Sequence, residues 1–533
     1  MPTPPPVREE VHFGSRRVRC FAERPHSLDQ MLREAVSRNG DGEALVCGET
    51  RLTYAELDAE VDRIAANLHR AGLGKGDRIA LVLANCAEFL TALMAASRLG
   101  AIVVPINVRE QTPELTYILN HCGARMLVHG AEVTDRLPAA ADLPALERRF
   151  SVGGDAPGAH PFETLVETRV AAAPPCEFGE EDVAVILYTS GTTGRPKGAM
   201  LTHFNIVHSA MHFEYGMGLV QSDRSVLAVP ASHVTGLVAN LLTMVRVAGC
   251  NLVLPQFEAA AFLRFAARER MTYSILVPAM YTLCLLRADF SDYDLNAWRI
   301  GGFGGAPMPE ATIAALSDAL PGLTLMNAYG STEVTSPATI SPPGGTGDRP
   351  DSVGKTVLCG DIRIVDDRGQ AVPPGTDGEI LIGGPMVVPG YWQDPERTAT
   401  GFVEGYWKSG DIGAIDADGF VSLHDRKKDM IIRGGYNIYS AELENTLLHH
   451  PGVVECAAVA RPDPVLGEKT HVFIRLGDPA PTADDLRAFC AERLADYKVP
   501  DFITFLDTAL PCNANGKVLK TALRDLGGEA VVR

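Results

Sequence analysis

Apolar residues occur along this chain as short unbroken runs, separated by stretches with a helical period. IALVLAN (79–85) and AIVVPIN (101–107) are two such runs, with a helix through Leu99 between them. The pattern returns at VAVILY (183–188), CNLVLP (250–255) and YSILVP (273–278), with helical spacing over 258–270 and 308–319. Unbroken apolar runs alternating with helices predict buried, largely parallel strands and an α/β fold. Amphipathic helices are expected over Leu28–Val36 and Tyr54–Ala71, the second opened by Thr53 and Glu56 at capping-box spacing. The Pro- and Arg-rich residues up to about Pro25 predict an extended arm.

After about residue 350 the texture changes. IRIVDDRG (362–369), EILIGG (379–384) and FVSLHD (420–425) predict short strands between Gly, Pro and Asp turns, a small β-rich module. A third texture begins near Lys427. It holds a helix from Ser440 to His450, strands at 453–460, 471–476 and 502–506, and a helix from Thr482 to about Tyr497, with Asp485 placed to cap it. The expected organisation is a large N-terminal body over 1–426, made of two α/β subdomains and the β-rich module. A small mobile α+β lid over 427–533 completes it, with the joint at Asp425–Asp429.

Composition narrows the functional classes. The 533 residues carry 48 Lys and Arg against 66 Asp and Glu, a net charge of −18. A chain this acidic lacks the basic field that general nucleic-acid binding needs. An anionic substrate therefore has to be met by local positive groups. The 11 Cys are dispersed without a CxxC pair, which predicts reduced thiols rather than a disulfide framework. No apolar run reaches the roughly 18 residues that cross a bilayer; Arg98 and Arg246 break the two best candidates. The opening MPTPPPVREE lacks the apolar core of a signal peptide, and the final EAVVR carries no lipidation or peroxisomal signal. A cytoplasmic location is expected, as a monomer or homodimer.

The strongest local signal is Tyr188-Thr-Ser-Gly-Thr-Thr-Gly-Arg-Pro-Lys-Gly198, fed by an apolar strand. Glycines let backbone N–H groups approach phosphate oxygens, hydroxyls add donors, and Lys197 adds charge. Taken alone, a Gly/Ser/Thr run is a polar turn. The GxxxxGK[ST] spacing of a P-loop is absent, which disfavours a kinase or GTPase. GGFGG (301–305) likewise fails the dinucleotide template. Asn327-Ala-Tyr-Gly-Ser-Thr-Glu333 offers an aromatic face for a purine, a glycine for close approach, a hydroxyl for phosphate and a hard carboxylate suited to Mg²⁺.

These segments resemble the adenylate-forming superfamily of acyl- and aryl-CoA ligases, carrier-protein adenylation domains and beetle luciferases. Six motifs occur in that family's order between Tyr188 and Lys520. The resemblance implies ATP, Mg²⁺ and coenzyme A as ligands. It assigns ATP and AMP binding to Thr189, Ser190, Gly191, Thr192, Thr193, Gly194 and Lys197. Gly305, Ala306, Pro307, Asn327, Ala328, Tyr329, Gly330 and Thr332 share that role. Glu333 and Thr189 are the metal ligands it implies. Trp407-Lys-Ser-Gly-Asp411 resembles the family's (Y/W)(R/K)TGD motif, with Ser409 in place of Thr; Asp411 takes the ribose hydroxyls and Arg426 the ribose or phosphates. Gly383-Gly384 through Gly390-Tyr391 matches a motif whose role is mainly structural. Lys428 falls on the hinge position. Gly434 and Gly435 belong to the segment presented to the thiol. Pro511-Cys-Asn-Ala-Asn-Gly-Lys517 resembles the family's final motif, which makes Lys517 the expected catalytic lysine, acting with Glu333 and Thr332, with Lys520 in the basic place after it.

For the acid itself the resemblance points to His233, Phe213, Gly304, Gly330 and Thr335 as the acyl pocket. Pro230–Gly236 holds no Asp for an α-ammonium, so an amino acid is disfavoured. Expected is an AMP-forming ligase that makes an acyl-adenylate from an aryl or medium-sized acid and passes it to CoA. Two readings compete with it: a free-standing adenylation enzyme that loads a carrier protein's phosphopantetheine, and a catalytically dead binding protein that keeps the fold.

Overall fold

A computed structural model describes residues 3–189, 195–434, 436–512 and 518–529. The chain packs as two units. Met1–Ile362, Leu381–Lys408 and Gly419–Val421 form the first; Arg363–Ile380, Ser409–Asp418 and Ser422–Arg533 form the second. The chain passes from one to the other inside the strands Asp361–Val365, Gly378–Gly383, Tyr406–Ile415 and Phe420–Arg426.

The first unit carries two large sheets. One has the order Lys197–Thr202, Val183–Thr189, Ile102–Pro105, Arg78–Val82, Met126–Gly130, Arg148–Val152, His160–Pro161. All its pairings are parallel except the first. The other runs Thr324–Tyr329, Ile300–Phe303, Tyr273–Leu276, Arg224–Leu227, Cys250–Val253, Glu43–Cys47 as neighbouring parallel strands. These are the unbroken apolar runs of the sequence. They are apolar throughout because helices cover both faces, and Ile79, Leu81, Val185, Leu252 and Leu276 are wholly or almost wholly buried. The helix Tyr54–Arg70 starts on the expected capping box: Glu56 N–H donates to Thr53 Oγ1, and Thr53 N–H to the Glu56 carboxylate at 2.8 Å.

The second unit contains a sheet of Tyr436–Ile438, Ile431–Arg433, Gly467–Leu476 and Val453–Asp463, with Phe502–Leu506 parallel to Gly467–Leu476. Thr482 and Asp485 cap the helix Ala483–Ala491. That helix ends earlier than its sequence suggests, and Tyr497 instead stacks on Tyr436 at 4.6 Å.

One expectation fails at the start of the chain. Val7–His12 and Arg16–Phe21 form an antiparallel hairpin rather than an extended arm. Arg24 fastens it: its guanidinium donates to Glu10 at 2.8 Å and to Glu180 at 2.9 Å, with the Arg24 side chain only 2% exposed. Cys20 and Phe21 are wholly buried. Partners 156 positions apart leave no local trace in the sequence.

Phe21 packs on a row of buried histidines. His208 stacks on it at 5.8 Å and His212 lies at 5.4 Å. Nearby on the same helix, His203 accepts a hydrogen bond from Leu28 N–H. Burial pushes the pKa of His203 down to about 4 and that of His212 down to about 3. Unfolded histidine takes its proton near 6.5. The folded state therefore binds fewer protons below that pH, and these residues lower stability as pH falls from about 6.5 towards 4, by on the order of a few kcal/mol each. Thermal melting in that window should fall progressively, and a His212→Phe variant should show a shallower fall; an identical slope in the variant contradicts the assignment.

Candidate active site

Parallel strands share one direction, so their carboxyl ends gather at one edge, the place where open α/β sheets bind ligands. The predicted segments of the first unit lie there. Gly304–Pro307 comes directly after the strand Ile300–Phe303, Asn327–Tyr329 ends its neighbour, and the turn with His233 comes after Arg224–Leu227. Gly304 is required where it stands, because a Cβ would come 2.3 Å from the Ala328 carbonyl oxygen. Gly305 sits at φ +80°, in the left-handed region that favours glycine.

Thr189 and Lys197 face each other across an antiparallel pair, so the Gly/Ser/Thr run is the connection of a hairpin. A P-loop instead leads from a strand into a helix. Both flanks of the connection are held by the helix Thr112–Cys122. Tyr117 donates to the Pro196 carbonyl at 3.1 Å, and His121 Nδ1 pairs with the Tyr188 hydroxyl at 2.7 Å. Burial lowers the pKa of His121 and raises that of Tyr188. Tyr117 and His121 are one helical turn apart, a spacing that marks a shared face but not a target. Ser190, Gly191, Thr192, Thr193 and Gly194 lie outside the described residues, as do Gly435 and Lys517.

Glu333 is buried in a short turn, Thr332–Val334. Its Oε1 meets Lys197 Nζ at 2.9 Å and accepts from the Tyr391 hydroxyl at 2.9 Å. The Lys197 ammonium also lies 4.2 Å from the centre of the Tyr391 ring. The structure thus joins two predicted residues and adds Tyr391, which motif reasoning treats as structural. A buried carboxylate needs such partners, because an unpaired one carries a large desolvation cost.

Among the described residues six hydroxyls of this unit are buried with no hydrogen-bond partner, and three of them, Thr189 Oγ1, Ser331 Oγ and Thr335 Oγ1, belong to the predicted site segments. Orphaned donors of this kind fit a polar ligand. Glu333 and Thr189 supply the hard oxygens a magnesium ion prefers. Thr335 also adopts φ +51°, unusual for a β-branched residue and a strain of about 1–3 kcal/mol. The backbone bond from Thr335 N–H to Thr332 C=O at 3.0 Å holds it.

Among the other pocket candidates, His233 is exposed, yet protein surrounds it closely enough for desolvation to lower its pKa. Its Nδ1 accepts from Thr235 N–H at 3.3 Å. Beside it runs a π-helical stretch, Thr235–Leu242, a geometry frequent at functional sites. Phe213 is wholly buried in the helix His203–Met217. Gly330 has Ser336 Cα 3.2 Å from the position of a Cβ.

In the second unit Arg426 Nε binds Asp411 Oδ1 at 2.7 Å. The segment Trp407–Asp411 lies within a strand rather than a turn; Ser409 Oγ donates to Ile380 C=O and accepts from Asp411 N–H at 2.9 Å. The Lys428 carbonyl accepts from Arg524, whose guanidinium also pairs with Asp429 at 2.7 Å. Lys520 binds Glu444 at 2.7 Å and Ser440 Oγ at 2.7 Å, a structural clasp. Gly434 adopts φ +58° and donates to Leu466 C=O. Elsewhere Glu10, His12 and Cys20 converge as metal ligands do, but the Arg24 guanidinium already occupies Glu10.

The family model described as AMP-binding enzyme matches residues 32–392, and its C-terminal domain model matches residues 442–517. A feruloyl-CoA synthase of Amycolatopsis sp is 36% identical over 90% of this chain and 94% of its own length. A long-chain-fatty-acid–CoA ligase of Mycobacterium tuberculosis is 34% identical over 94% of this chain and 98% of its own. The crystal structure of an anthranilate CoA ligase in complex with anthranoyl-AMP aligns with a TM-score of 0.87 at 29% identity, covering 95% of this chain and 98% of that one.

Proposed function

The chain belongs to the AMP-binding enzyme family, it is an acid–CoA ligase, and we propose that its acid is aryl or medium-sized acyl. The observation that carries the substrate reading is the segment Pro230–Gly236, which presents an exposed His233 and contains no Asp. The resemblance, which sets Gly304 and Gly330 in the acyl pocket, supports a flat or compact acid. The relatives include a feruloyl-CoA synthase and a long-chain-fatty-acid–CoA ligase.

In the first half-reaction the substrate carboxylate attacks the α-phosphorus of ATP in line and pyrophosphate leaves. In the second a thiol attacks the acyl-adenylate carbonyl and AMP leaves. The barrier of the first step is the crowding of negative charge, so catalysis rests on positioning and electrostatics. Lys197 carries its ammonium to phosphate oxygens, and the Thr189, Ser331 and Thr332 hydroxyls donate to them. Glu333 and Thr189 are the residues that would hold magnesium, which when bound neutralises phosphate charge. Asp411 accepts the ribose hydroxyls, with Arg426 set beside it. Lys517 bridges the carboxylate and phosphate oxygens. The chain at Lys428 acts as a hinge between the half-reactions, after which the Gly434–Gly435 segment serves the thiol. This reading keeps the N-terminal part at 1–426, the lid at 427–533 and a cytoplasmic enzyme.

Three measurements test these assignments. Pyrophosphate release with aromatic, alicyclic and C2–C16 aliphatic acids should peak on aryl or medium-sized acids; a maximum on long chains overturns the substrate reading. Lys517→Ala should lose adenylation by about a hundredfold or more, as for a removed transition-state contact, yet convert a supplied acyl-adenylate to thioester; equal loss of both steps contradicts the role. Lys428→Pro should impair thioester formation more than adenylation, and an unchanged thioester rate would remove the hinge.

A further inference from the structure

Tyr391 is fixed more firmly than a loop residue needs to be. Its N–H donates to Thr398 Oγ1 at 2.9 Å, and its ring packs edge-on against Phe402 at 5.7 Å. Its neighbours are tied to the strand that carries Lys197: Met200 N–H donates to Gly390 C=O, and Trp392 N–H to Gly198 C=O at 2.7 Å. So held, the Tyr391 hydroxyl stands between the two charged side chains. It accepts from Lys197 Nζ and donates to Glu333 Oε1.

A metal-bound nucleotide makes opposite demands on the two ends of this triad. Phosphate oxygens attract the Lys197 ammonium, and a cation attracts the Glu333 carboxylate. An ammonium and a divalent cation at one carboxylate oxygen repel each other. The Lys197–Glu333 contact therefore opens when the nucleotide binds. The neutral Tyr391 hydroxyl has no such conflict and can stay.

We propose that Tyr391 is a positioning residue of the adenylation step, whose hydroxyl holds the Glu333 carboxylate in place while Lys197 leaves it for the phosphates. The assignment rests on the ligase reading above. Tyr391→Phe in the full chain removes the hydroxyl and keeps the ring under Lys197 and against Phe402. The variant should need about tenfold more Mg²⁺ for half-maximal adenylation, in keeping with loss of a hydrogen bond to a charged group. Its KM for ATP should rise more than its kcat falls. Thioester formation from a supplied acyl-adenylate should stay within about twofold, because that step does not use the triphosphate. By calorimetry, the gain in ATP affinity that MgCl₂ gives the wild type should shrink in the variant. Phe402→Leu, which loosens the ring and spares the hydroxyl, should leave the Mg²⁺ dependence unchanged. An unaltered Mg²⁺ dependence in Tyr391→Phe overturns the proposal, as does a parallel fall of both half-reactions, the mark of a merely structural residue. If the wild type releases no pyrophosphate with any acid, the ligase reading fails, while the calorimetric arm still reports on Tyr391.

Discussion

A buried carboxylate has to be neutralised, and the first unit is organised around meeting that demand at Glu333. The side chain sits in a turn at the end of a parallel strand, where solvent is largely shut out. Lys197 arrives from the second strand of a hairpin and Tyr391 from a segment pinned along the same strand. Three stretches far apart in sequence thus converge on one oxygen. The same logic recurs in the second unit, where Asp411 meets Arg426. The global charge of −18 makes local positive groups look like the central need of an anion-binding protein. In the structure two of those groups already hold carboxylates. On the proposed reading an anionic ligand would have to displace a carboxylate from Lys197 or Arg426, an exchange of partners.

Distance along the chain decides how much of this is legible in the sequence. The strands and helices of both units are readable because burial imprints its period locally. The capping boxes at Thr53–Glu56 and Thr482–Asp485 span only three residues. The candidate site residues are readable as types, since Glu333, Asp411 and Lys197 stand in motifs whose chemistry is plain. Their pairings are not readable. Nothing near Lys197 names Glu333, and nothing near Asp411 names Arg426. The hairpin before Pro25 escapes the sequence for the same reason, because Arg24 finds Glu180 only after the chain has folded back. Tyr391, Tyr117 and His121 carry no local signal either, because a tyrosine hydroxyl or a helical His–Tyr pair looks like ordinary packing until its partner is known.

The two sheets of the first unit do different work. The hairpin sheet supplies the strands Val183–Thr189 and Lys197–Thr202, held at Tyr188 and Pro196 through His121 and Tyr117. The longer parallel sheet supplies the turns that end at Gly304, Asn327 and His233. Rigid strands fix where these turns begin, and short turns leave little freedom in where they end. Strain at Thr335 and orphaned hydroxyls at Thr189 and Ser331 are tolerated against that stiff frame. A softer scaffold would relax them.

The π-helical stretch Thr235–Leu242 has an evolutionary reading. Such a stretch holds more residues than an α-helix of the same length, so each deletion moves it back towards α spacing. Each residue of an α-helix turns the chain by roughly 100°. Losing one position there would rotate the adjoining helix Thr243–Val247 relative to His233, while the strands on either side keep their register. The wall beside His233 is thus a part of the fold whose shape responds to segment length as well as to residue type.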